Sequence, residues 1–129
     1  MGEESKRVTL PTHRIPTEHE EQRDFVRWWR QHPALGSILI YAIPNGGGRS
    51  KAQAAKLKSE GVMAGMPDLH IPELRLWLEF KRQKGGKVSP EQAEVHAVLR
   101  KFDTVFVCKG SEDAKKQVMS FLQNPMSLV

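Results

Sequence analysis

Apolar residues recur at helical spacing after Thr17. Phe25, Trp28 and Trp29 make one stripe of a helix whose first turns carry Glu18, Glu20 and Glu21, where the positive end of the helix dipole favours acids. Thr17 is a capping residue type for such a start, and Pro33 disfavours continuation past His32. Residues 37–44, SILIYAIP, are a short β-rich run and predict a strand. A loop at Asn45 to Gly48 follows. Residues 50–60, SKAQAAKLKSE, are strong helix formers with Ser50 as cap and Gly61 as stop. A short strand is predicted around residues 68–71, and the clearest strand over 74–81, LRLWLEFK, alternates over part of its length. Residues 82–88 form a basic, glycine-containing turn. Residues 89–102 open on Ser89 and Pro90, a cap and a first-turn proline, with Val95, Val98 and Leu99 as the predicted core face. Residues 104–108 predict a last buried strand and 111–122 a closing amphipathic helix.

The order α, β, α, β, β, α, β, α predicts an α/β fold: a single compact domain with a mixed central β-sheet flanked by helices. Residues 1–16 are polar and broken by Pro11 and Pro16, which predicts a flexible N-terminal arm; 17–123 are expected to fold, and 124–129 to form a tail. The length of 129 residues suits one core that needs no disulfide or structural metal. The single cysteine, Cys108, excludes a disulfide framework within the chain and argues against a zinc knuckle. With no apolar segment in MGEESKRVTL to act as a secretory signal, a cytoplasmic protein is expected. No stretch is apolar and long enough to predict a membrane span.

The formal net charge is +5. A solvated basic surface accounts for such a value, and so does a polyanionic partner. The positions of the charges favour the partner. Arg49, Lys51, Lys56 and Lys58 cluster in one segment; Lys81, Arg82, Lys84 and Lys87 cluster around Gly85 and Gly86. Both clusters adjoin unusual acids, and this combination points to nucleic acid. The triple-glycine loop lacks the G-x-x-x-x-G-K-[ST] order, so no nucleotide cofactor is expected.

The unusual acids lie in and before the strand at 74–81. Glu79 and Lys81 stand two apart and therefore share one face with Trp77, while Leu78 and Phe80 face the other way. A preceding strand that includes Asp68 would bring a second carboxylate alongside. Two converging carboxylates suit a hard divalent cation such as Mg²⁺. A lysine beside them orients an attacking water or offsets phosphate charge, the equipment for metal-assisted hydrolysis of a phosphodiester. The competing reading is an ordinary ion pair on an exposed sheet face. His70 shares the face of Asp68 and reads as a partly exposed histidine; His96 reads as structural, and Trp28 and Trp29 as core.

Five segments in order, TEHEEQ, AIPNGGGRSKAQAAKLKSEGV, AGMPDL, LEFKRQKGGKVSPEQ and VFVCKG, run from about residue 18 to 121. Together they resemble the PD-(D/E)XK nuclease superfamily, and within it the VRR-NUC domain of the small stand-alone kind found in phages and bacteria. The resemblance implies a restriction-endonuclease-like core and a Mg²⁺- or Mn²⁺-dependent endonuclease. Its expected substrates are branched or four-way junction DNA, and it is expected to act as a homodimer in a bacterial or phage-infected cell. Asp68 matches the motif aspartate and Glu79 the second acid, both metal ligands, with the carbonyl of Phe80 or Leu78 as a backbone ligand. Lys81 matches the motif lysine, and Gln92 a glutamine on the following helix that assists at the site. Glu18, with Gln22, fits the first-helix E-x-x-x-Q pattern as a further catalytic and metal-binding acid, and Glu21 is the alternative. Asn45, Arg49, Lys51, Arg82, Lys84 and Lys87 are the expected nucleic-acid contacts. Two rival readings are a non-catalytic nucleic-acid-binding protein that retains the fold and a sequence-specific restriction-type nuclease.

Overall fold

Three helices of the computed structural model begin in the same way, with a hydroxyl and an N3 side chain that satisfy each other's backbone amides. The structure describes residues 14–44 and 49–124; Asn45, the three glycines after it, the first thirteen residues and the last five lie outside the described residues. In α1 (Glu18–Gln31) the Thr17 hydroxyl accepts from the Glu20 amide at 3.1 Å, and the Glu20 carboxylate accepts from the Thr17 amide at 2.9 Å. Ser50 and Gln53 do the same for α2 (Lys51–Ser59), and Ser89 and Gln92 for α3 (Pro90–Leu99). Each reciprocal cap fills two amides that the first turn leaves open.

The fourth helix, α4 (Ser111–Gln123), has no side-chain cap from Gly110, which precedes it with φ at +95°. Its cap comes from α1. The buried carboxylate of Glu21 accepts from the Ser111 amide at 2.9 Å and from the Gln83 side chain at 2.7 Å. The Ser111 hydroxyl donates to Asp24 at 2.6 Å. Two acids of α1 thus sit at the positive end of α4.

The sheet is four-stranded in the order β1-β2-β3-β4, with β1 Tyr41–Ala42, β2 Leu69–Ile71, β3 Leu76–Lys81 and β4 Thr104–Lys109. The first two pairings are antiparallel and β3 pairs with β4 in parallel. A parallel pair needs a crossover, and α3 supplies it. This is the mixed α/β sheet that the element order predicts.

Two predicted strands are shorter than expected, for identifiable reasons. The run at 37–44 pairs only at Tyr41 and Ala42. Ahead of it the Ile38 amide turns back to the Leu35 carbonyl, and the Ile38 carbonyl accepts from the Trp29 indole at 3.0 Å. In β3 the first two expected residues belong to the reversal instead: a 3₁₀ turn at Pro72–Leu74 ends on Arg75 in the left-handed region.

Leu69, Ile71, Leu76, Leu78, Phe80 and Cys108 are buried and pack with Phe25 and Trp29 of α1 and Ala114, Val118 and Phe121 of α4. Phe25 and Phe80 meet at 5.7 Å between ring centroids. The other face of β3 is also out of water, since all six of its residues are buried. There α3 differs from expectation. Val98 is 55% exposed, whereas His96 is 1% exposed. The helix turns Gln92 and His96, four apart and therefore on one face, towards the charged side of β3. Among the described residues no helix is long and apolar enough to cross a membrane.

Replacing Glu21 by Ala removes the acceptor for two donors at the α1–α4 joint. The expected loss is about 1–3 kcal/mol of stability, read from urea unfolding; an unchanged midpoint would mean that α4 starts without this cap.

Candidate active site

Glu79 and Lys81 are 1% and 8% exposed. A surface ion pair has no such burial, so the ordinary exposed pair does not describe these residues. A buried carboxylate needs partners, and Glu79 has them. One oxygen accepts from the Gln92 amide nitrogen at 3.1 Å and lies 3.8 Å from the Lys81 ammonium; the other lies 3.3 Å from His96 Nε2. The Lys81 ammonium donates to the Gln92 side-chain oxygen at 2.9 Å. That same oxygen accepts from the Ser89 amide at 2.9 Å in the α3 capping box. Gln92 therefore starts its helix and holds both charged residues of β3.

Asp68 precedes β2 and continues its ladder. Its amide donates to the Leu78 carbonyl at 3.0 Å, and its carboxylate accepts from the Phe80 amide at 2.6 Å. The loop before it is constrained at Gly65, where φ is +90° and a Cβ would stand 2.7 Å from the Glu91 carbonyl oxygen. Only glycine lets that loop lie against the first turn of α3.

The acidities follow from this crowding. Burial, then the charge of Asp68, pushes Glu79 up to about 8, against the pull of Lys81. Asp68 is also raised, by burial first, with the Phe80 amide opposing and Glu18 adding to the rise. His96 is lowered, by burial and then by the charges of Arg100 and Lys81, and its Nε2 shares a hydrogen bond with Glu79.

A cavity of about 420 Å³ opens over these groups and is lined by Glu18, Gly65, Met66, Asp68, Glu79 and Gln92, among others. Here the two first-helix acids separate. Glu18 is exposed and lines the cavity, whereas Glu21 is buried in the joint with α4. Gln22 lines a different cleft. Phe80 reaches the site through its backbone while its ring fills the core.

The expected nucleic-acid contacts are dispersed. Lys84 and Lys87 are exposed on the turn after β3, which Lys109 pins by donating to the Gly86 carbonyl at 2.6 Å. Arg82 is exposed but donates to the Ile15 carbonyl at 3.2 Å. Lys51 is exposed in the first turn of α2, and Arg49 lines a second cavity with Leu57, Lys58 and Met63. Asn45 lies outside the described residues.

Two contacts went unread in the sequence. His96 touches Glu79, and the only signal for it is its spacing from Gln92. His70 stacks on Trp77 at 3.7 Å and shares a 2.7 Å hydrogen bond with the Tyr41 hydroxyl, making a row across three strands on the charged face.

Among the described residues no three His, Cys, Asp or Glu side chains close around one point as a complete metal cage. The donors present still suit one class of ion. Two adjacent carboxylates repel one another where water is scarce, and a divalent cation relieves that repulsion. An oxygen set of two carboxylates, filled out by waters and substrate phosphate, is the manner of Mg²⁺; zinc prefers nitrogen and sulfur.

No protein-family model matches the chain, and no curated protein matches it. Among solved structures it is similar to a VRR_NUC domain protein, with a TM-score of 0.71 at 28% identity, covering 85% of this chain and 91% of the other.

Two outcomes are expected. Gly65→Ala forces both a strained φ and a backbone clash, so it should cost about 1–3 kcal/mol and displace Asp68; full stability would show that the loop relaxes. The second concerns pH in EDTA. Glu79 is raised from 4.5 to about 8 in the folded chain, so its contribution to stability is whole below 4.5 and is lost as pH rises through 8. The melting temperature of Glu79→Gln should therefore gain on the parent between about pH 5 and 8. A constant difference would contradict the crowding.

Proposed function

We propose that this chain, which has the fold of a VRR_NUC domain protein, is a metal-dependent endonuclease that hydrolyses DNA phosphodiester bonds. The observation that carries the reading is the buried Asp68–Glu79 pair, held beside Lys81 and Gln92 at the wall of an open cavity. Asp68 and Glu79 would hold Mg²⁺ or Mn²⁺, with Glu18 at the cavity wall and a backbone oxygen near Phe80 completing the protein's share. When bound, the cation supplies Lewis acidity and offsets the charge of the phosphate.

The chain's own residues do the rest. The Phe80 amide fixes the direction of the Asp68 carboxylate. Gln92 and His96 hold Glu79 in place, so its oxygens keep one geometry. Gln92 also aims the Lys81 ammonium, which orients the attacking water and steadies the charge that builds on the phosphate. Lys84 and Lys87 after β3, with Arg49 and Lys51 before and in α2, provide backbone contacts that position DNA without reading its sequence.

The finer proposal is a branched or four-way junction substrate, cut by a symmetric pair of chains with one site for each of two strands. Val98 and Phe102, 55% and 70% exposed, offer such a pair apolar surface to bury.

The test is cleavage of a supercoiled plasmid and of a panel of duplex, flap, splayed-arm and four-way DNAs. Mg²⁺ or Mn²⁺ should support cutting and EDTA should abolish it. Glu79→Gln should lower the rate by orders of magnitude and keep DNA binding. Full cutting in EDTA, or a Glu79→Gln protein as fast as the parent, overturns the reading. Binding with no cutting by the parent would make the chain a non-catalytic DNA-binding protein.

A further inference from the structure

A second cleft, of about 530 Å³, runs between α1 and the β1 edge of the sheet and takes no part in the site above. Its walls include His19, Arg23, Arg27 and Arg30 from α1 and Ile40 and Tyr41 from β1 and the residue before it, and no acid lines it. Arginines at these spacings share one helix face. From Arg23 to Arg30 they span about 10 Å of helix axis, the rise of about three nucleotides at roughly 3.4 Å each.

Charge on an exposed helix face is usually met by water or by neighbouring acids. Of the neighbouring acids, Asp24 feels the charge of Arg27 but makes its direct contacts elsewhere, as Glu20 does. Asp24 takes the Ser111 hydroxyl and lies 3.3 Å from Lys115, and Glu20 pairs with Arg14 at 2.8 Å. Arg23 and Arg27 have no hydrogen bond or ion pair among the described residues. Arg30 leans on the Ile40 carbonyl at 3.5 Å across the cleft.

Both walls start at the active site. Glu18 lines the catalytic cavity, and α1 carries the arginines away from it. The Asp68 carbonyl accepts from the Ile43 amide at 2.9 Å, and β1 leads back from there to Tyr41 and Ile40.

We infer that this cleft holds the sugar-phosphate backbone of a duplex DNA arm leaving the cleavage site, with Arg23, Arg27 and Arg30 on phosphates of one short stretch of strand. The inference rests on the nuclease reading of that site. None of these arginines belongs to the basic segments that the sequence singled out, so they add a track in a second direction.

The experiment is anisotropy of a labelled duplex at a series of salt concentrations, with Ca²⁺ in place of Mg²⁺ so that binding is read without turnover. Three proteins are compared: the parent, Arg23→Gln/Arg27→Gln, and Lys101→Gln/Lys116→Gln, which makes the same change in charge at exposed positions outside the cleft. Each lost phosphate contact lowers the slope of log K against log salt by about 0.9, so the arginine pair should lose about 1.8 and the lysine pair should keep the parent slope. Melting curves confirm that all three fold.

A slope equal to the parent's in the arginine pair overturns the track, as does an equal loss in both pairs. Unchanged slope with a shift from dimer to monomer in sedimentation would assign the cleft to a second copy and also overturn it. A parent that cuts DNA while the arginine pair keeps its slope leaves the nuclease reading intact without the track. A parent that binds with the expected slopes but never cuts leaves the track intact without the nuclease.

Discussion

The amide of Gln92 satisfies three requirements at once. A carboxyl as buried as that of Glu79 is stable only with its oxygens met, and the Gln92 nitrogen meets one of them. An ammonium as buried as that of Lys81 needs an acceptor, and the Gln92 oxygen accepts from it. A helix that begins against a sheet needs its first amides filled, and the same oxygen fills that of Ser89. The position of α3, the fixed geometry of Glu79 and the aim of Lys81 are therefore one constraint. It explains why α3 turns a polar edge inward and leaves Val98 in water, against the ordinary logic of an amphipathic helix.

The arrangement leaves a deliberate imbalance. Asp68 and Glu79 lie together in a place poor in water, and burial is the first cause that raises each of them. Lys81 offsets part of that charge. Strongly shifted acids of this kind cluster at functional sites. The opposite face of the sheet carries no such tension. It is an apolar core sealed by α1 and α4, and it provides the rigidity that lets the charged face hold its geometry.

Helix α1 serves several sides of the molecule at once. Phe25 and Trp29 anchor it in the core, Glu21 and Asp24 cap α4, Glu18 lines the cavity over Asp68 and Glu79, and the arginines line the neighbouring cleft. At 3.6 residues per turn, neighbours in sequence point in different directions, so one helix can feed four environments. A shift of α1 would move all of them together.

The local features of the fold were legible in the sequence. Thr17, Ser50 and Ser89 announce three helix starts because a cap is completed by a residue three positions away. The order of the strands and helices implies a mixed sheet because parallel neighbours need a crossover. Asp68, Glu79 and Lys81 stood out by type and spacing, and Gln92 by the family resemblance alone. Tertiary structure decided the rest. It put Glu18 at the cavity and Glu21 under α4, although both are acids in the first turns of one helix. It cut the run at 37–44 to two paired residues because the Trp29 indole claims the Ile38 carbonyl. It buried Glu79 and Lys81, and it brought His96 to Glu79. Each of these depends on a partner remote in sequence or on the rotation of a helix about its axis. Composition and periodicity describe what a segment favours alone, but only packing settles which of two equivalent faces is turned inward.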